Sequence, residues 1–109
     1  MSYAEEKLGL AIFDLTIGEG DIKERLESIT KYLAPLSADD FPEHLKEIWD
    51  SIISKLTKKE SKVKGTKYDE GIFSASMFGM RSTTASQIAK DIVELHEGLV
   101  AARADGIWK

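Results

Sequence analysis

The segment Lys7–Ile17, KLGLAIFDLTI, decides how the N-terminal part of this chain folds. If the segment is helical, successive residues turn by about 100° and its apolar side chains, with those just before it, occupy two opposite faces. The first apolar face consists of Ala4, Leu8, Ala11, Ile12 and Leu15. The second apolar face consists of Tyr3, Leu10, Phe13 and Ile17. Because a helix with two apolar faces needs cover on both, we expect either a central helix or a second copy of the chain over the second apolar face.

A β-strand is the alternative for this segment. Leu8, Leu10 and Ile12 alternate with other residues, and the glycine between the first two is unfavourable inside a helix. Asp14 interrupts the alternation, however, and only residues 71–79 offer a possible partner strand. The pattern therefore favours a helix.

Size and composition indicate a single folded domain spanning residues 1–109. A chain of 109 residues with 42% hydrophobic and 31% charged residues is typical of one globular domain with one modest core. Cysteine is absent, which excludes disulfides and cysteine-bound zinc. We expect no cofactor and no metal.

The N-terminal sequence MSYAEE predicts the compartment. It lacks the basic start and apolar run of a signal peptide. No apolar segment approaches the ~20 residues needed to span a bilayer. We therefore expect a cytoplasmic protein that does not enter the membrane.

A capping box marks the start of a second helix. Asp21 and Glu24 have the spacing at which each side chain accepts a hydrogen bond from the other residue's backbone N–H. Pro35 disfavours helical geometry at the residue before it and so ends this helix. The apolar face between these signals consists of Ile22, Leu26, Ile29 and Leu33.

A third helix is predicted to begin near Asp40. Glu43 would complete a second capping box with Asp40, and Pro42 is tolerated only in the first turn of a helix. The apolar residues that follow cover a broad helical face, which can contact two neighbours. They are Phe41, Leu45, Ile48, Trp49, Ile52, Ile53 and Leu56.

Apolar residues recur at a spacing of three or four through residues 69–104. The pattern allows either one long helix or a short helix, a break near Arg81 and a long last helix. We prefer the break, because Gly79 weakens the middle of a single helix and Thr84 with Gln87 has the form of another capping box.

Gly106 is a suitable end for the last helix, after which Ile107 and Trp108 could fold back onto the preceding turn. The pattern as a whole predicts an all-α fold. We expect a compact bundle of four to five helices, with a mobile lysine-rich loop between the third and fourth helices.

The predicted loop contains the basic strip Lys55–Lys67, which holds six lysines and one glutamate. Its net charge is +5, whereas the rest of the chain carries −9. Side chains that could bind phosphate are Lys58, Lys59, Lys62, Lys64 and Arg81. No aromatic residue interleaves the lysines of the strip, and the acidic body would repel nucleic acid, so a solvated loop is favoured.

Three further groups could carry chemistry. His96 lies on the apolar face of the last helix, where a core histidine is more common than an acid/base or a ligand. Residues 79–84 combine glycine, arginine and hydroxyls before a helix, as an anion site does, although ordinary capping explains them. A cluster of acids and an imidazole, more simply solvated, consists of Glu43, His44, Glu47 and Asp50.

No nucleophile and base can be paired from these spacings, and neither of the metal-binding patterns His-Glu-x-x-His and Glu-x-x-His occurs at His44 or His96. We therefore expect a small non-enzymatic interaction or regulatory protein that acts through protein–protein contacts and self-associates through the second apolar face. One alternative is a nucleic-acid-binding regulator that uses the basic strip. Another is a small enzyme or ligand-binding bundle that uses His96.

Overall fold

A computed structural model describes residues 2–57 and 79–108, and these residues form helices and connecting turns with no β-strand. The α-helices are α1 (Tyr3–Ile17), α2 (Ile22–Leu33), α3 (Lys46–Leu56) and α4 (Ser82–Ala104). Two 3₁₀ turns, Ala38–Asp40 and Glu43–Leu45, connect α2 to α3. The predicted all-α bundle is confirmed. The predicted short helix before Arg81 and most of the predicted mobile loop lie outside the described residues.

Helix α1 confirms the helical prediction for the segment KLGLAIFDLTI. The Ser2 side chain caps it by accepting a hydrogen bond from the Glu5 N–H at 3.1 Å. At the other end the Gly18 N–H donates to the Asp14 carbonyl at 2.8 Å. The β-strand alternative is wrong, because α2 and α4 pack against the first apolar face of a helix.

Helix α2 begins and ends where local signals predict. Both hydrogen bonds of the capping box form, at 2.9 Å from the Glu24 N–H to Asp21 and at 3.4 Å in the reverse direction. The helix ends at Leu33, with Ala34 as its C-cap directly before Pro35. Its predicted apolar face packs into the core through Leu26, Ile29 and Leu33.

The predicted start of the third helix near Asp40 is wrong, since α3 begins at Lys46. Phe41 is extended, with φ −127° and ψ 147°, because a residue before proline is disfavoured in helical geometry. Asp40 instead accepts a hydrogen bond from the Ser37 N–H at 2.8 Å and so caps a 3₁₀ turn. Phe41 is nevertheless buried, with its ring centroid 4.9 Å from that of Trp49.

The predicted break near Arg81 is present, so a single helix over residues 69–104 is excluded. Gly79 has φ +81° and Arg81 is extended, directly before α4 begins at Ser82. The predicted capping box between Thr84 and Gln87 does not form. Both residues lie inside α4, and the Gln87 amide donates to Asp91 at 2.9 Å.

The end of α4 is a Schellman motif. Gly106 has φ +77°, which favours glycine, and its N–H donates to Arg103. The Ile107 N–H donates to the Ala102 carbonyl at 2.9 Å. Trp108 packs against the core as expected, whereas Ile107 is 62% exposed.

Helix α4 contacts each of the other three helices, and α1 packs against both α2 and α4. One cluster of buried side chains joins all four helices. Its fully buried aliphatic members include Leu8, Leu26, Ile29, Leu33, Ile52, Leu56, Ile88, Ile92, Leu95 and Leu99. None of the helices in the described ranges combines the length and the apolar composition that a bilayer span requires.

Candidate functional site

The two apolar faces of α1 differ in burial. On the first apolar face, Ala4, Leu8, Ala11 and Leu15 are at most 9% exposed, and Ile12 is partly buried. On the second apolar face, the exposed fractions are 50% for Tyr3, 42% for Leu10, 58% for Phe13 and 61% for Ile17. Residues 2–57 and 79–108 therefore leave the second apolar face open to solvent. Only the first apolar face belongs to the core.

A bidentate ion pair fixes the N-terminal half of α1 to α4. Arg103 donates to both carboxylate oxygens of Glu5, at 2.9 Å from Nε and 3.0 Å from Nη2. Glu5 is only 4% exposed. The hydrogen bonds from Arg103 lower the pKa of Glu5 below its ordinary value, more than burial raises it. The sequence does not predict this pair, because no local spacing relates residues so far apart in the chain.

Two contacts fix the C-terminal half of α1 to α2. The Tyr32 hydroxyl donates to the Asp14 carboxylate at 2.7 Å, and this hydrogen bond raises the pKa of Tyr32 above its ordinary value. Arg25 Nη1 donates to the Leu15 carbonyl at 3.2 Å, near the end of α1. The helix is thus held along both flanks, so the second apolar face is a fixed surface of the bundle.

A groove between α1 and α4 exposes further apolar side chains, and none of its lining residues belongs to the second apolar face. Ile12 and Thr16 form its α1 wall, and Ala89 and Val93 form its α4 wall. Val93 is 39% exposed. The volume of the groove is about 530 Å³, and its rim carries the charged side chains of Lys90, Glu94 and Glu97. An apolar floor with a charged rim is typical of a protein contact surface.

His96 lies at the junction of α1 and α4, where it is partly buried. Its Nε2 lies 3.5 Å from the position that a Cβ on Gly9 would occupy. The sequence pattern predicts His96 near the centre of the apolar face of α4. That centre is occupied by Ile92, Leu95 and Leu99, which are fully buried.

The predicted acidic cluster is only partly brought together. His44 and Glu47 face Asp91 and Glu94 of α4 across a shallow groove of about 220 Å³. Glu43 instead forms an ion pair with Lys46 at 3.3 Å on the surface. In the part of the chain that the structure describes, no group of three or more histidine, aspartate or glutamate side chains is arranged to hold a metal ion.

Most of the basic strip lies outside the described residues. Lys58, Lys59, Lys62 and Lys64 lie outside the described residues, and Arg81 is exposed at the start of α4. The first residues of the strip, Lys55 and Leu56, belong to α3 and not to the predicted solvated loop. Lys55 pairs with Asp91 at 3.2 Å, and Leu56 and Thr57 are buried.

The chain matches no known family model, curated protein or solved structure. Among the described residues, four of the six large apolar side chains that are exposed lie on the second apolar face.

Proposed function

We propose that this protein is a small non-enzymatic helical interaction or regulatory protein, and that the second apolar face of α1 is its binding surface. One observation carries the proposal: four large apolar side chains on one face of a firmly anchored helix are 42–61% exposed. Covering these half-exposed side chains would contribute roughly 3–6 kcal/mol before the entropic cost of association. Contiguous exposed apolar surface of this kind is typical of protein–protein contact sites.

The occupant that we propose is a second copy of the chain, which gives a homodimer. Identical chains associate most often around a two-fold axis, where the same patch of both subunits makes the interface. We place this activity in the cytoplasm, as the sequence predicts. Within residues 2–57 and 79–108 no comparable feature favours the nucleic-acid or enzymatic alternatives.

Light scattering on the purified protein over a range of concentrations tests the proposal. We expect the wild type to shift from monomer to dimer as concentration rises into the high micromolar range. Leu10→Ser and Phe13→Ser should stay monomeric, because each removes an exposed apolar side chain from the interface.

Ile107→Ser is the control, since Ile107 is 62% exposed but follows the end of α4 and does not belong to the second apolar face. This variant should dimerise as the wild type does. A wild-type protein that remains a strict monomer at the highest concentration would contradict self-association.

A further inference from the structure

The second apolar face has the spacing of a coiled-coil seam. Tyr3, Leu10 and Ile17 are seven residues apart, and Glu6 and Phe13 lie between them at the second seam position. Glu6 is exposed and is the one charged residue in this seam. The seam is therefore apolar except near its N-terminal end.

The two flanks of the seam differ in charge. Lys7 and Asp14 lie on the flank toward α2, where Asp14 contacts Tyr32. Gly9 and Thr16 lie on the flank toward α4, and both are uncharged. One flank thus carries a positive and a negative charge seven residues apart, and the other carries none.

Resting on the proposed homodimer, we propose that the second copy packs its α1 antiparallel against the α1 of the first, with Lys7 of each copy facing Asp14 of the other. A two-fold axis perpendicular to two facing helices brings the same flank of both copies together and reverses their direction. The Lys7 end of one charged flank then meets the Asp14 end of the other. Two symmetric ion pairs result.

A parallel pair of α1 helices would place like charges against each other. Each seam residue would then face its own counterpart, which sets Glu6 against Glu6 in the interface. The charged flank would face the uncharged one, so Lys7 and Asp14 would find no opposite charge. In the antiparallel pair the two Glu6 residues are separated by about 13.5 Å along the helix axes.

The Asp14 carboxylate and the Lys7 ammonium are both available for this intermolecular ion pair. Tyr32 bonds Oδ2 of Asp14, and Oδ1 is left for Lys7 of the second copy. The Lys7 ammonium lies 5.4 Å from the centre of the Tyr3 ring, at the edge of the seam. A pair of 15-residue helices buries less than the ~800 Å² per partner of a standard interface, so the dimer is reversible.

Thiol cross-linking tests the direction of the pair, because the chain contains no cysteine of its own. Tyr3→Cys and Ile17→Cys are prepared separately and treated with a short bismaleimide, alone and mixed. The antiparallel pair should cross-link the mixture and leave each variant alone largely uncross-linked. A parallel pair would do the reverse, since each thiol would face its own copy.

Charge reversal tests the ion pairs. Lys7→Glu and Asp14→Lys should each raise the dimer Kd about tenfold, and the double variant should return it to within about threefold of the wild type. Tyr32→Phe removes the same hydrogen bond to Asp14 without changing its charge, so Asp14→Lys should raise the Kd well beyond any change that Tyr32→Phe causes. Circular dichroism checks that each variant is folded.

The outcomes separate the two proposals. A wild type that stays monomeric overturns the proposed homodimer and the antiparallel arrangement together. Three results would overturn the antiparallel arrangement but not the homodimer. They are a dimer whose single-thiol variants cross-link to themselves, a dimer that gives no cross-link in any combination, and a double charge variant whose Kd is not restored.

Discussion

The two faces of α1 carry similar apolar side chains but lie in different surroundings. Leu8 on the first apolar face is fully buried, whereas Leu10 on the second is 42% exposed, two residues away in the same helix. Local helix propensity cannot account for this difference, because both residues are leucines in the interior of one helix. The comparison separates apolar surface that folding uses from apolar surface that folding leaves available to a partner.

Truncating a leucine on the buried face of α1 should destabilise the protein more than truncating one on the exposed face. Leu8→Ala should lower the free energy of unfolding by about 2–5 kcal/mol, because it opens a cavity in the core. Leu10→Ala should lower it by less than about 1 kcal/mol when measured at concentrations where the protein is monomeric. Urea unfolding followed by circular dichroism measures both, and equal losses would show that the two faces are equally buried.

A second pair of substitutions compares two glycines at contacts of α4. Gly98 lies in α4 and faces Leu45, whereas Gly9 lies in α1 and faces His96 of α4. A Cβ on Gly98 would lie 2.6 Å from Cδ2 of the buried Leu45, whereas a Cβ on Gly9 would meet His96 at an ordinary 3.5 Å. Gly98→Ala should therefore destabilise the protein by about 1–2 kcal/mol. Gly9→Ala should stabilise it by about 0.5–1 kcal/mol, since alanine is the better helix former. Thermal unfolding gives the sign of each change, and the same sign for both would contradict this packing difference.

The pH dependence of stability tests the anchor between α1 and α4. Because Arg103 lowers the pKa of Glu5, the stability from this pair is present above the ordinary pKa of 4.5. It is lost as pH falls through the lowered pKa of the folded state. The melting temperature of Glu5→Gln should therefore be below that of the wild type at pH 7, and the gap should narrow in acid. A gap that does not change with pH would show that the charge of Glu5 contributes nothing.

Local signals predicted the parts of the fold that depend on neighbours in the chain. The Asp21 and Glu24 capping box and the Gly106 end of α4 each close hydrogen bonds within a few residues, so spacing alone reveals them. The apolar pattern also located Phe41 in the core. It did not reveal that Phe41 reaches Trp49 from an extended segment, because burial against a distant helix does not require helical geometry.

The candidate site was predicted in part for the same reason. Periodicity placed all four residues of the second apolar face on one side of α1. The anchor between Glu5 and Arg103, which sets α1 on α4, joins residues 98 apart and leaves no trace in local spacing. The sequence pattern does not predict the position of His96 correctly. His96 contacts α1 at the edge of the core, and this contact depends on how α1 and α4 cross.

The sequence by itself determined that α1 is a helix with two opposite apolar faces, since both follow from residue type and a 100° turn per residue. Only the tertiary structure decided which face is buried. That choice is the sum of contacts made by α2 and α4, including the hydrogen bonds at Asp14 and Glu5 that orient α1 from its two flanks. Periodicity reports that a face is apolar, whereas burial depends on which distant surface comes to cover it.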